Sequence, residues 1–155
     1  MRKDLRPGDV VLMNDPYLGG THGMDMKLVR PFHYRGRLFC YLANTGHWPD
    51  VGGANPGGFS ATSTEIFQEG LRIPPVRLYR EGQLDQDVLQ MVLYNIRLPE
   101  ERIGDLKAQV AALNVLATRL TAILDKYGEG LITAGIAELK DSCERRMRAR
   151  IATIP

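Results

Sequence analysis

The stretch that decides the fold runs Lys27-Leu28-Val29-Arg30-Pro31-Phe32-His33, then Tyr34-Arg35-Gly36, then Arg37-Leu38-Phe39-Cys40-Tyr41-Leu42-Ala43-Asn44. Two runs rich in apolar, β-branched and aromatic residues flank a turn at Gly36, which is the pattern of a β-hairpin. Upstream, Asp9-Val10-Val11-Leu12-Met13 is a short apolar strand candidate. Downstream, Val76-Arg77-Leu78-Tyr79-Arg80 alternates and stops at Glu81-Gly82. Between them, Gly52-Gly53-Ala54-Asn55-Pro56-Gly57-Gly58 is a loop by its breakers.

From Asp85 the chain reads as helical. Asp85 is suited to cap a helix carrying Val88, Leu89, Val92 and Leu93. Pro99 fits the first turn of a longer helix, with Glu100 and Glu101 near its positive pole. Ile103, Leu106, Val110, Leu113, Ala117, Leu120, Leu124 and Tyr127 recur at alternating steps of three and four, a heptad seam. Gly128 is a natural stop. A final helix from about Gly130 carries Ile132, Ile136, Leu139, Cys143, Met147 and Ile151 on one face. The expected class is α+β: a β-rich N-terminal part with Gly- and Pro-rich loops over residues 1–84, then a C-terminal antiparallel helical pair within residues 85–155, together one compact unit. The seam packs within this domain or forms a subunit interface.

Composition agrees with a soluble globular domain: 155 residues, 44% hydrophobic and 25% charged, with a formal net charge of +2. The whole excess lies in residues 141–155, where Arg145, Arg146, Arg148 and Arg150 outnumber Asp141 and Glu144. A solvated helix end explains that cluster. With no broad basic face interleaved with aromatics, nucleic acid is not an expected partner. No apolar run approaches the ~18 residues of a membrane span, and Met1 to Pro7 has no secretory-signal character, so no membrane contact and a cytoplasmic location are expected. Cys40 and Cys143 form no metal or disulfide framework.

The chemistry-bearing stretch is residues 14–53. Two of the three histidines are followed by Asp at the third position, as His22-Gly23-Met24-Asp25 and His47-Trp48-Pro49-Asp50, and each unit abuts a Gly-Gly pair. Two imidazoles and a carboxylate are ligands for Mn²⁺, Fe²⁺ or Zn²⁺ that leave coordination positions open for water or substrate. The hairpin brings the loop before it and the loop after it to one end, so His22, Asp25 and His47 come within reach of one another. The same spacing also suits a plain turn with an imidazole bonded to a carboxylate. Asp15 and Asp50 are further ligands, acceptors that orient the imidazoles, or turn formers. His33, mid-strand beside aromatics, reads as a satisfied core or surface histidine. There is no Gly-x4-Gly-Lys-Ser/Thr phosphate loop and no Gly-x-Ser-x-Gly elbow. Cys40, in an apolar strand, reads as packed and not nucleophilic. Ser60, Thr62, Ser63 and Thr64 either bind a substrate or satisfy loop backbone.

Several motifs resemble the hydantoinase B/oxoprolinase family. They are Pro7-Gly8-Asp9-Val10, Asn14-Asp15-Pro16-Tyr17, Gly19-Gly20-Thr21-His22 with Asp25, and Gly46-His47 with Asp50-Val51-Gly52-Gly53. Pro56-Gly57, the run Gln68 to Val76, and Asn95-Ile96-Arg97 with Gly104-Asp105-Leu106 and Ala108-Gln109 continue the likeness, which covers most of residues 7–135. The family includes the B-type chains of N-methylhydantoinases, 5-oxoprolinases, and large subunits of acetone and acetophenone carboxylases. The resemblance implies a metal-binding portion of a B-type subunit in an ATP-dependent complex that hydrolyses a small cyclic amide or carboxylates a ketone. It implies a hydantoinase A-type partner that uses ATP, which this chain does not bind, and a hetero-oligomer. In acetone carboxylase-like members a His-x-x-Asp pair and a later His hold a manganese-type metal; here those are His22, Asp25 and His47. Mn²⁺ is favoured, with Zn²⁺ or Fe²⁺ the alternatives, and Asp50 is the candidate catalytic orienter. Family B chains run to several hundred residues, so this sequence looks like a portion of a longer chain, inactive alone without the remainder of the B-type chain. The alternative is a non-catalytic, truncated assembly or interaction module of such a complex.

Overall fold

The structure, a computed structural model, describes residues 4–154. Residues 1–3 and 155, which the expected boundaries 1–84 and 85–155 include, lie outside the described residues. The elements are β1 (Val10–Met13), β2 (Asp25–Tyr34), β3 (Arg37–His47), β4 (Val76–Arg80), β5 (Gln83–Leu84), α1 (Gln86–Leu93), α2 (Pro99–Tyr127) and α3 (Glu129–Ile151). The class is α+β: a five-stranded sheet ordered β3-β2-β1-β4-β5, antiparallel at every pairing, comes first and the helices follow.

The hairpin is the longest feature of the sheet. Arg35 and Gly36 both adopt positive φ, at 50° and 77°, which gives the two-residue turn a twist that matches its strands. The ladder runs beyond the apolar residues that reveal it in the sequence, ending with Asp25 opposite His47. Along β2, Met26, Leu28, Phe32 and Tyr34 are buried, and Leu12, Leu78 and Val51 join them in the core. One element has no counterpart in the sequence pattern. The two residues of β5 pair with β4 across the Glu81-Gly82 turn, before Asp85 accepts the Val88 N–H and opens α1. A strand of two residues is too short for alternation to reveal.

Two compact units are present, Met1–Ala117 and Thr118–Pro155. In the first, α1 packs against β4 and the start of α2 lies on the hairpin. Gln109 makes that contact specific. Its Nε2 donates to the Met26 carbonyl at 2.9 Å, its Oε1 accepts from Trp48 Nε1 at 3.2 Å, and its backbone carbonyl accepts from Asn44 Nδ2 at 2.7 Å. Within the heptad seam on α2, Leu106, Leu113 and Leu124 are buried, while Tyr127 at its end is exposed. The stripe on α3 has no such residues. No residue of α3 is buried, and Leu131, Ile136, Leu139, Met147 and Ile151 are exposed. Among the described residues, no helix is long and apolar enough to cross a membrane.

Candidate metal centre

The centre forms where the hairpin ends. Register places Asp25, the first residue of β2, directly across from His47, the last of β3. His22 reaches the same point from the loop before β2, whose closing turn is fixed by the Asp25 N–H donating to the His22 carbonyl at 3.2 Å. Asp25 is the hub: its Oδ1 lies 3.3 Å from His47 Nδ1 and its Oδ2 lies 3.6 Å from His22 Nε2. The two imidazoles meet edge to face with centroids 5.1 Å apart. One ligand atom from each of the three residues lies within 4.8 Å of the others. Asp25 is the most enclosed, its side chain 17% exposed against 34% for His22 and 51% for His47.

Donors bonded to one first-row ion at about 2.0–2.2 Å stand at most about 4.4 Å apart, so side-chain adjustments of a few tenths of an ångström suffice. The groups satisfy each other poorly as they stand. A separation of 3.6 Å is no hydrogen bond, and His22 Nδ1 is buried with no hydrogen-bond partner. Phe59 flanks the site, its ring 5.7 Å from that of His22 and 6.3 Å from that of His47.

Asp50 is not part of this group. Its buried carboxylate accepts from the Gly52 N–H at 2.7 Å and the Gly57 N–H at 2.9 Å, and Arg97 Nη1 donates to both oxygens at 3.1 and 3.2 Å. Burial pushes this carboxyl up, but the Gly57 and Gly52 N–H groups and the Arg97 guanidinium together outweigh it and hold it below the usual carboxylate range. Asp50 thereby folds the glycine loop that ends at Phe59. Asp15 caps the short turn Pro16–Leu18 by accepting from the Tyr17 N–H. His33 lies half-buried within β2. Cys40 is half-buried and burial pushes its thiol up, away from a reactive thiolate.

Two supporting residues carry roles that no spacing in the sequence announces. Asn14 is fully buried; its Nδ2 donates to the carbonyls of Gly23 at 2.6 Å and Leu71 at 2.7 Å, and its Oδ1 accepts from the Ile73 N–H at 2.6 Å. It ties the residue after His22 to a segment more than forty positions away. Gln109 does the same for the other side, clamping Met26 and Trp48, the neighbours of Asp25 and His47.

Comparison with known proteins places the chain in a family. The family model described as hydantoinase B/oxoprolinase matches residues 1–155. The chain is 40% identical over 152 residues to the caprolactamase beta subunit of Pseudomonas jessenii, a match that covers 98% of this chain and 26% of the relative. A protein of a Pseudomonas species, provisionally named as the B subunit of a D-/L-hydantoinase, is 33% identical over 149 residues, 96% of this chain and 25% of the relative. The acetophenone carboxylase delta subunit of Aromatoleum aromaticum is 29% identical over 153 residues, 98% of this chain and 22% of the relative. The crystal structure of the ATP-dependent caprolactamase from Pseudomonas jessenii superposes with a TM-score of 0.89, over 99% of this chain and 26% of that one. The chain therefore spans about a quarter of the length of these relatives. With the family model matching from end to end and the fold shared over 99% of this chain with the caprolactamase structure, the chain belongs to the hydantoinase B/oxoprolinase family.

Proposed function

We propose that this chain is the metal-binding portion of a B-type subunit in an ATP-dependent complex that opens a small cyclic amide. The observation that carries the reading is the convergence of His22, Asp25 and His47 at the open end of the hairpin, with an unpartnered imidazole nitrogen. Two nitrogen donors and one oxygen donor suit Mn²⁺, Fe²⁺ or Zn²⁺ and leave positions for a reactant. Mn²⁺ is the ion we favour. When bound there, it supplies a Lewis acid for a carbonyl or phosphoryl oxygen, or water of lowered pKa. Asp25 lies between the two imidazoles, one oxygen toward each, and the Phe59 ring flanks both. Asp50 is a positioning residue: through Gly57 it sets the backbone two residues before Phe59.

The substrate class follows the relatives: caprolactam, the substrate in one relative's name, is a cyclic amide, and so are hydantoins. The partner follows them too: an ATP-using hydantoinase A-type subunit, together with the remainder of a B-type chain. The likeness to an acetophenone carboxylase subunit favours a second reading, in which the same site serves ketone carboxylation.

Metal titration tests the site. The chain is stripped with chelator and titrated calorimetrically with Mn²⁺, Zn²⁺ and Fe²⁺. One-to-one binding is expected, weakened at least about 10–100-fold in His22→Ala and in His47→Ala. Absence of binding by all three ions, or unchanged binding in both variants, removes the reading.

A further inference from the structure

Lys27 stands two residues beyond Asp25 on β2, so both side chains leave the same face of the sheet. β2 is an interior strand, and Lys27 is paired on both sides, with Thr45 of β3 and Met13 of β1. Two ladders therefore hold its backbone. Its side chain is 20% exposed, and the ammonium is buried without a hydrogen-bond partner. A lysine head group carries three donors and ordinarily reaches water or an acceptor. Here it lies 4.0 Å from Oδ2 of Asp25, the oxygen that also faces His22 Nε2 at 3.6 Å. At that separation the contact is an ion pair and no hydrogen bond. The centre thus has a fixed cation beside its one carboxylate.

Enclosure decides how that cation acts. Nζ has no surface on which a reactant could settle, so Lys27 works through its field and not by touch. An ion bonded to Oδ2 at about 2.0–2.2 Å stands at most about 6.2 Å from Nζ. That is inside the Debye length of ~8 Å at physiological ionic strength, and enclosed charges are screened less still. Two cations then share one carboxylate and repel each other. A divalent ion held by one carboxylate and two neutral imidazoles retains one unit of positive charge, and the ammonium adds a second beside it. The same field that opposes the incoming ion attracts an anion to the positions that the three side chains leave open.

We propose that Lys27 sets the charge of the metal centre, weakening its hold on the bare divalent ion and strengthening the hold of the loaded centre on an anion. The proposal rests on the metal reading of His22, Asp25 and His47, and adds to it a residue that is no ligand. Lys27→Met keeps an unbranched apolar stem and removes the charge, whereas Lys27→Arg keeps the charge.

Two titrations test it. The chelator-stripped chain is titrated calorimetrically with Mn²⁺, and the Mn²⁺-loaded chain is titrated with azide and followed by water-proton relaxation. Lys27→Met should bind Mn²⁺ at least about tenfold more tightly than wild type, and azide at least about fivefold more weakly. Lys27→Arg should stay within about threefold of wild type in both titrations. Damage to the fold weakens both equilibria, whereas charge moves them in opposite directions. Mn²⁺ binding that is unchanged or weaker in Lys27→Met, or azide binding that is unchanged or tighter, overturns the proposal and leaves the metal reading standing. So does a Lys27→Arg variant that behaves like Lys27→Met. Binding of Mn²⁺ by none of the three proteins removes the metal reading, and the proposal with it.

Discussion

At the scale of single residues, the site is assembled by side chains that do not themselves touch a ligand. Asn14 makes three short bonds from a fully buried position, two of them to carbonyls in different segments. Asn14→Leu keeps the volume but strands two half-buried carbonyls and one buried N–H. Each such group costs about 1–3 kcal/mol, so a loss of at least about 3 kcal/mol is expected by urea denaturation. Weakened Mn²⁺ binding should accompany it, because Gly23 follows His22. Asp50 gives a pH-dependent counterpart. Its carboxyl is held below the usual value of ~3.9, so its contribution is complete above that value and is lost as pH falls through the depressed native one. Asp50→Asn should cost about 2 kcal/mol near neutrality. It should also flatten the stability profile below about pH 4, read from denaturation midpoints at successive pH values.

At the scale of elements, register decides everything at the end of the hairpin. A slip of one residue would send Asp25 or His47 to the opposite face of the sheet. The contact with α2 holds that end in place, and Gly46 is what allows it. A Cβ at Gly46 would sit 2.6 Å from Gln109 Cδ. The Gln109 amide is the end of a flexible side chain, but moving it breaks its bonds to Met26 and Trp48. Gly46→Ala is therefore expected to lower stability by about 1–3 kcal/mol, measured by thermal or urea unfolding. In Gly46→Ala combined with Gln109→Ala the clash is gone, and the added loss from the glycine replacement should shrink to a few tenths of a kcal/mol.

Across the whole molecule, equal hydrophobic residues do unequal work. Leu28 in β2 is 0% exposed and Leu139 in α3 is 65% exposed. Leu28→Ala should cost about 2–5 kcal/mol through lost burial and the cavity left behind. Leu139→Ala should change the unfolding free energy by less than about 0.5 kcal/mol. The comparison separates the sheet unit, which has a core, from an α3 stripe whose periodicity is that of a buried face and whose side chains meet solvent.

Much of the order of elements was legible in the sequence. The turn at Gly36, the cap at Asp85, the start at Pro99 and the break at Gly128 each follow from local backbone chemistry, and the structure places each at the element boundary the residues imply. The two His-x-x-Asp units pointed to His22, Asp25 and His47, and the heptad steps pointed to Leu106, Leu113 and Leu124, the buried leucines of α2. Tertiary structure alone decided three things. It separated the two aspartates that identical spacing makes equivalent, turning Asp25 toward the imidazoles and Asp50 toward Gly52, Gly57 and Arg97. It recruited Asn14 and Gln109 across 57 and 83 positions to hold the loops, a partnership that no local pattern encodes. It also left the α3 stripe uncovered, because periodicity determines which residues share a helix face, while burial depends on a surface elsewhere to meet it.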